Sequence, residues 1–273
     1  MKTIIVNEKT LPQAYEQATD CVMALGYFDG VHLGHQKVIE VAREEARRRG
    51  LPLAVMSFRP HPIKILSGGK KQVAHLMTLC DKESALQRQG VDLFYLVEFT
   101  LGFAGLSPKQ FVDDYLVRLN VKHAVAGFDF NYGVKGSGKL KDIPSDSNGG
   151  IMITEVDCVD YLGEKISSTA IRQRIVEGLV DEVPHFLGKY YKLKAHWDGI
   201  SFQPLEQTLF PKEGVYKVEI QQLNSSYLTM MEITSDLQLI AHDFSSILKK
   251  GNVIIKLLKY SSSSLPIYSK VSF

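Results

Sequence analysis

The sequence lacks the features that mark metal-binding, secreted and membrane proteins. Its three cysteines are scattered and form no Cys-x-x-Cys pair, so they do not supply the spaced ligands of a structural zinc site. Unpatterned cysteines are typical of a reducing compartment, and the apolar run at residues 1–6 is too short for a signal peptide. No apolar stretch approaches the ~20 residues that span a bilayer. These absences predict a cytoplasmic protein with no membrane partner and no protein metal site.

A large charge of one sign is also missing. The 32 basic and 30 acidic side chains leave a net charge of +2, so we expect no nucleic-acid partner. The chain shows no internal repeat and no feature that calls for an obligate protein partner. The remaining composition, 45% hydrophobic and 23% charged, is ordinary for globular proteins. A length of 273 residues predicts two domains, since domains cluster around ~100–200 residues.

In the first part of the chain, short apolar runs alternate with helical patterns. This alternation is typical of a parallel α/β sheet. Strands are predicted at 21–26, 53–58, 92–99, 121–127 and 150–159, and helices at 34–49, 78–89, 168–177 and from Ser107 onward. Strand–helix crossovers predict a Rossmann-like, doubly wound α/β domain, whose ligands bind at the carboxyl ends of the strands.

The second part of the chain has a different pattern of apolar residues. Short apolar runs at 215–220, 227–233, 237–241 and 253–258 are separated by Gly, Asn, Ser and Asp. Such runs are typical of a small β-barrel or sandwich, and we predict a small antiparallel β-barrel. The predicted domains are therefore residues 1–185 and residues 186–273.

The segment from Gly26 to His35 is the most informative in the chain. It joins a predicted strand to a predicted helix through a glycine-rich turn, and the first amides of a helix attract anions. Two imidazoles at positions 32 and 35 are three residues apart and share one face of the first helical turn. We interpret the segment as a nucleotide phosphate site. The plain alternative is a pair of surface histidines without a role, and the surrounding glycines argue against it.

Two further segments follow predicted strands. Phe58-Arg-Pro-His-Pro62 contains two prolines and predicts an extended, stiff loop, which binds a ligand or is merely structural. Residues 128–138 offer a carboxylate, an amide, aromatic rings and three glycines. That composition suits stacking on a flat ring and bonding to its edge, although a glycine loop without a ligand is the alternative.

The segment Ile166-Ser-Ser-Thr-Ala-Ile-Arg172 predicts a helix start. Hydroxyl residues at such a start are capping residues first, and capping alone accounts for Ser168. Arg172 follows Ser168 by four residues on the same face, so a guanidinium and the helix start could converge on phosphates. Arg174 lies on another face and is predicted to be solvated or bridging.

Together, these motifs resemble those of a known family. Residues 26–35 resemble the His-x-Gly-His signature of the nucleotidyltransferase superfamily, and residues 166–172 resemble its second signature. The Phe-x-Pro-His-Pro loop at 58–62 and the Gly-x-Asp-Phe-x-aromatic-Gly pattern at 127–133 narrow the likeness to bacterial FAD synthetase. This is the FMN adenylyltransferase module of bifunctional riboflavin kinase/FAD synthetases.

The resemblance implies that ATP and FMN react to give FAD and pyrophosphate, with Mg²⁺ bridging the ATP phosphates and few protein ligands to the metal. The implied residues fall into three groups. Those that contact the reacting phosphates are His32, His35, Ser168, Thr169 and Arg172. Those that shape the nucleotide side are Gly26, Phe28, Asp29, Gly30 and Gly34. Those that line the flavin side are Phe58, Arg59, Pro60, Asp129, Phe130 and Asn131.

The second domain departs from this pattern. Residues 211–218 resemble the Gly-Val-Tyr strand of the riboflavin kinase barrel, but the kinase's Gly-[Arg/Lys]-x-x-Gly-[Phe/Tyr]-Pro-Thr-Ala-Asn signature is missing before them. The kinase's later catalytic glutamate also has no convincing counterpart. A kinase needs a phosphate loop, a metal-binding hydroxyl and a base. We therefore predict a degenerate barrel without riboflavin kinase activity.

Two other functions remain open from the sequence. One is nucleotidyl transfer on the same fold to a nicotinamide or pantetheine phosphate, against which the aromatic loop at 127–133 argues. The other is a non-catalytic flavin or nucleotide sensor, against which the intact first-domain motifs argue.

Overall fold

The chain divides into two compact units in the computed structural model. The described residues are 1–205, 208–241 and 248–261. The first unit comprises Met1–Val73 and Leu79–Lys165, and the second comprises Ala74–Thr78 and Ile166–Phe273. The helix at 168–177, which the sequence analysis placed in the first domain, thus belongs to the second unit. The domain boundary at residue 185 stays a prediction.

The first unit has an α/β architecture. Its strands are β1 Lys2–Val6, β2 Cys21–Leu25, β3 Leu53–Arg59, β4 Leu93–Glu98, β5 Val121–Gly127, β6 Asn131–Tyr132, β7 Gly138–Lys139, β8 Met152–Val156, β9 Asp160–Tyr161 and β10 Glu164–Lys165. Its α-helices are α1 Leu11–Glu16, α2 Leu33–Arg49, α3 Pro62–Leu66, α4 Leu79–Arg88, α5 Leu101–Ala104, α6 Pro108–Val112 and α7 Ile143–Asp146. The five predicted strands are confirmed, whereas β1 and the short hairpins were not predicted.

Six strands form one parallel sheet in the order β1-β4-β3-β2-β5-β8. From β2 the chain proceeds to β3 on one side, and from β5 it proceeds to β8 on the other. The strand order therefore reverses between β2 and β5, and their carboxyl ends flank the crevice in which doubly wound proteins bind ligands. The predicted fold class is confirmed for this unit.

The core explains why these segments form strands and helices. All five residues of β2 are buried, as expected for a central parallel strand that is covered on both faces. Helix α2 buries an apolar face that includes Val38, Ile39 and Ala42. It ends at Gly50, which adopts the left-handed conformation (φ 65°) and stops the helix as predicted.

The second unit contains two helices and a closed barrel. The helices are α8 Ser168–Glu177 and α9 Val183–Leu187. The strands are β11 Lys192–Trp197, β12 Phe202–Pro204, β13 Gly214–Gln222, β14 Ser225–Ile233, β15 Leu239–Ala241 and β16 Gly251–Ser261. They pair antiparallel in the order β11-β12-β15-β14-β13-β16, and β16 closes on β11. The predicted antiparallel barrel is confirmed.

The region where a kinase signature is missing forms a hairpin. Strands β11 and β12 are joined by a turn in which the Asp198 carboxylate accepts hydrogen bonds from the amides of Ile200 and Ser201 (2.7 and 2.8 Å). Residues 206–207, which also fall in this region, lie outside the described residues. In the described ranges, no helix is both long and apolar enough to cross a membrane.

Candidate functional site

The loop between β2 and α2 has a strained and buried backbone. Phe28 and Val31 adopt left-handed conformations (φ 53° and 48°), which are costly for residues with bulky side chains. Phe28 and Asp29 are nevertheless buried, and a side chain at Gly26 would meet the Phe28 ring at 3.1 Å. Such a conformation persists only where the surrounding structure imposes it, which is typical of functional loops.

The two histidines of this loop form one stacked unit. Their rings lie 3.6 Å apart at an interplanar angle of 16°. His32 is the N-cap of α2, and its Nδ1 accepts a hydrogen bond from the His35 amide at 3.2 Å. Nδ1 of His32 is therefore unprotonated, which places the ring proton on Nε2. The prediction that the two rings share a face is confirmed, but the His35 amide is capped rather than open to an anion.

His35 carries the clearest sign of a binding position. Its ring lies 5.1 Å from that of Phe28, and its Nδ1 is buried without a hydrogen-bond partner among the described residues. Burial, followed by the nearby His32 and Lys82, holds the pKa of His35 well below its ordinary value of 6.5. The ring is therefore neutral at pH 7. A buried polar atom without a partner is rare, and a ligand group is one common reason for it.

A buried lysine lies behind the loop, and sequence reasoning missed it. Nζ of Lys82, on α4, donates to the Tyr27 carbonyl at 2.8 Å and to the Ser57 hydroxyl at 3.2 Å. Burial lowers the pKa of Lys82 to about 8, although Asp29 opposes the shift. A signal was present in the sequence: Lys82 precedes the buried Ala85 and Leu86 by three and four residues, so a cation occupies the apolar face of a helix.

The loop after β3 differs in part from its prediction. Pro62 starts the short helix α3, which His61 caps, so the extended stretch is shorter than expected. The Phe58 ring packs against Phe103 at 5.5 Å, within an aromatic cluster of the core. Arg59 is exposed. The His61 ring meets the Tyr27 ring in an edge arrangement with the ring centres 4.4 Å apart, so this loop contacts the loop between β2 and α2.

The polar groups after β5 are held by lysines that were not predicted. The Asp129 carboxylate pairs with Lys165, and the Asn131 side-chain oxygen accepts a bond from Lys139. The Asn131 amide also donates to the Asp129 carbonyl at 2.9 Å. Phe130 packs beside Tyr132 with a ring separation of 6.1 Å. Asp129 and Asn131 thus form one exposed polar cluster with the two lysines, and the half-buried Phe130 lies between them in the chain.

The residues at the start of α8 belong to the second unit. Ser167, not Ser168, is the N-cap, and its hydroxyl accepts the Ala170 amide at 3.1 Å. The capping role that the sequence analysis gave to Ser168 is therefore wrong, because Ser168 is itself the first helical residue. Thr169 is exposed, and Arg172 Nε donates to the Ala74 carbonyl at 2.9 Å.

Arg174, on the same helix, is a bridging residue, which is one of the two roles predicted for it. Its Nε lies 3.0 Å from a Glu182 carboxylate oxygen, and its guanidinium covers the Phe186 ring at 3.8 Å. Across the ranges that the structure covers, no group of three or more His, Cys, Asp or Glu side chains is arranged to hold a metal ion.

Comparisons with known proteins show which proteins the chain is similar to. A family model described as FAD synthetase matches residues 14–170. The chain is 44% identical over 247 residues to a bifunctional riboflavin kinase/FMN adenylyltransferase of Listeria monocytogenes, covering 85% of this chain and 78% of that protein. It is 31% identical over 214 residues to a protein of the same species named FAD synthetase, covering 78% and 86% of the two chains.

Among solved structures, a Streptococcus pneumoniae protein described as a macrolide-efflux protein is similar over 99% of this chain and 94% of its own. The TM-score is 0.85 and the identity is 28%. The description as a macrolide-efflux protein is that of the Streptococcus pneumoniae protein and is not extended to this chain.

Proposed function

The chain belongs to the FAD synthetase family, and from this membership we propose that it transfers the AMP moiety of ATP to FMN, giving FAD and pyrophosphate. The scattered cysteines support a cytoplasmic location for this reaction. The single observation that carries the proposal is the neutral, stacked histidine pair at the reversal point of the sheet, with a buried nitrogen that has no partner in the described part of the chain.

The reaction needs positioning more than proton transfer. An oxygen of the FMN phosphate attacks the α-phosphorus of ATP in line, and the bond from that phosphorus to the bridging oxygen of pyrophosphate breaks. Because a phosphate monoester has its second pKa near ~6, the nucleophile is already anionic at neutral pH and requires no general base. Catalysis then comes from alignment and from stabilising charge on the phosphates.

The histidine pair supplies hydrogen bonds rather than charge. We assign His35 to the α-phosphate and His32, through its Nε2 proton, to a neighbouring phosphate oxygen. Gly26, Gly30 and Gly34 are assigned to the nucleotide side, where the lack of a side chain at Gly26 accommodates the Phe28 ring. Phe28 and Asp29 are buried and shape the loop from within.

The leaving β- and γ-phosphates are assigned to the start of α8. Ser168 and Thr169 offer hydroxyls, and a helix N-terminus favours anions. Arg172 carries five N–H donors, so its bond to Ala74 is compatible with phosphate contacts through other nitrogens. Mg²⁺, when bound with ATP, would neutralise phosphate charge, and phosphate oxygens are expected to be its main ligands, as is usual for this ion in nucleotide sites.

The flavin side is assigned to the loops after β3 and β5. Phe58 and Arg59 are the last residues of β3 and Pro60 begins the loop after it, whereas Asp129, Phe130 and Asn131 follow β5. Both loops leave the same edge of the parallel sheet, which supports a shared role.

The test is incubation of the purified protein with ATP, Mg²⁺ and FMN, followed by chromatography and pyrophosphate detection. We expect FAD and pyrophosphate in equal amounts. Parallel incubations replace FMN by nicotinamide mononucleotide or by phosphopantetheine. A dinucleotide from either of these, with none from FMN, would contradict the proposal, and tight flavin binding without pyrophosphate release would indicate a sensor.

A further inference from the structure

Lys82 is a buried cation for which the reaction, as proposed, gives no role. Its side chain is 7% exposed on α4, within the first unit. Within the described part of the chain, its ammonium donates to two neutral oxygens, those of Tyr27 and Ser57, and to no carboxylate. A buried ammonium without a close ion pair is costly, and such groups persist chiefly where they serve a function.

The bonds of Lys82 converge on the start of the phosphate loop. The Tyr27 carbonyl accepts from Lys82 and also from the Ser57 hydroxyl, at 2.8 and 2.7 Å. The ammonium additionally lies 4.6 Å from the centre of the Tyr27 ring. Tyr27 immediately precedes Phe28, which adopts a left-handed backbone. These contacts fix the peptide from which the strained loop departs.

The charge of Lys82 also reaches the histidine pair. Its field is one of the causes that lower the pKa of His35, so the two groups share one electrostatic environment. The titratable groups that face Lys82 are Asp29 and Tyr27 on the loop and His35 on α2. Because His35 is neutral, its ring offers hydrogen bonds but no positive charge of its own.

Resting on the proposed adenylyl transfer, we propose that Lys82 is a positioning residue of this site. Its ammonium holds the Tyr27 carbonyl, and with it the loop up to His32, in the conformation that receives the nucleotide phosphates. It also supplies the positive charge that the neutral histidine pair lacks. A purely structural lysine would affect stability alone, so the test separates the two roles.

The test compares Lys82→Met, which removes the charge and shortens the side chain by one atom, with Lys217→Met at an exposed position of β13. For Lys82→Met we expect kcat/KM for ATP to fall by about 10²-fold, as for loss of a preorganised electrostatic contact. The KM for FMN should change by less than about twofold, and Lys217→Met should match the wild type. Equal losses towards ATP and FMN, or no loss, would overturn the proposal.

The pH dependence of the wild type gives a second readout that does not depend on the variant folding. The profile of kcat/KM for ATP reports the free enzyme. Since the pKa of Lys82 is about 8, the ammonium is present below that pH and is lost above it. We expect kcat/KM for ATP to decline above pH 8 in the wild type and the Lys217→Met control, and this limb to be absent in Lys82→Met. A wild-type profile that stays flat to pH 9.5 would refute the assignment.

Failure of the proposed function is distinguishable from failure of this inference. If the wild type makes no FAD, the function is wrong, and calorimetric titration of Mg·ATP into the wild type and Lys82→Met without FMN still tests Lys82. Weaker ATP binding by Lys82→Met supports the role in nucleotide positioning, and equal binding contradicts it.

Discussion

At the scale of single residues, His35 is the group on which the proposed chemistry most depends. Its buried Nδ1 and its contact with Phe28 leave a neutral ring beside the expected α-phosphate. We expect His35→Ala to lower kcat by about 10²-fold or more, as for removal of a preorganised donor. Steady-state assays of FAD formation measure this, with His196→Ala in the barrel as a matched control. Turnover near the wild-type value would remove His35 from the mechanism.

A second histidine, His123 on β5, makes stability depend on pH. It is buried, its Nε2 lies 2.7 Å from the Thr154 hydroxyl, and its pKa is lowered to about 4 by burial and then by Arg49 and Arg48. Glu45 lies 3.8 Å from Nδ1 and would raise the pKa, but Arg48 and Arg49 pair with the same carboxylate, so we expect burial to prevail.

The sign of this pH effect follows from linkage. In the unfolded state His123 binds a proton below about pH 6.5, whereas in the folded state it stays neutral down to about pH 4. Stability is therefore lost as the pH falls through that window. We expect the free energy of unfolding to drop by about 1–2 kcal/mol between pH 7 and pH 5 from His123. Urea denaturation measures it, and His123→Gln should show a smaller drop. An unchanged pH dependence in that variant would contradict the assignment.

At the scale of elements, we expect the two adjacent serines at the start of α8 to have different roles, one in capping and one in ligand binding. Ser167 caps the helix, whereas Ser168 is its first residue. We expect Ser167→Ala to lower the free energy of unfolding by about 1 kcal/mol, because the Ala170 amide loses its acceptor. Ser168→Ala should cost less stability and raise the KM for ATP. Thermal melts and kinetics of both variants give the comparison, and the reverse pattern would show that the roles are exchanged.

The loops after β2, β3 and β5 also belong together at this scale, because they leave the same edge of the sheet. The sheet order brings their origins to one edge, and the Tyr27 backbone and ring link the first two through Ser57 and His61. Parallel strands place all their carboxyl ends on the same side, so motifs far apart in the chain meet there. Changes in one loop are therefore expected to alter the position of another.

At the scale of the whole molecule, the barrel poses the question of a second activity. The chain lacks the phosphate-binding signature of the kinase. The hairpin of β11 and β12 forms part of the segment in which that signature is expected. We expect the purified protein to form no FMN from riboflavin, ATP and Mg²⁺, because a kinase without its phosphate loop cannot align the γ-phosphate. Chromatography detects the product, and the bifunctional Listeria monocytogenes relative is the positive control. Formation of FMN above the enzyme-free blank would refute the loss of kinase activity.

The sequence by itself determined the class of both units and the positions of the main motifs. Apolar runs at 21–26 and 121–127 identified buried parallel strands, because such strands are covered on both faces and need no polar alternation. The glycine turn and the helix that follows it located the histidine pair. These features are local, so short-range patterns of residues are enough to reveal them.

The tertiary structure alone decided the environment of each group. It placed Lys82 behind the loop between β2 and α2, assigned α8 to the second unit and paired Asp129 with Lys165. Each of these facts joins residues that are distant in the chain, and no local pattern encodes such a contact. The neutrality of His35 has the same origin, because burial and neighbouring charges, not residue type, set its pKa.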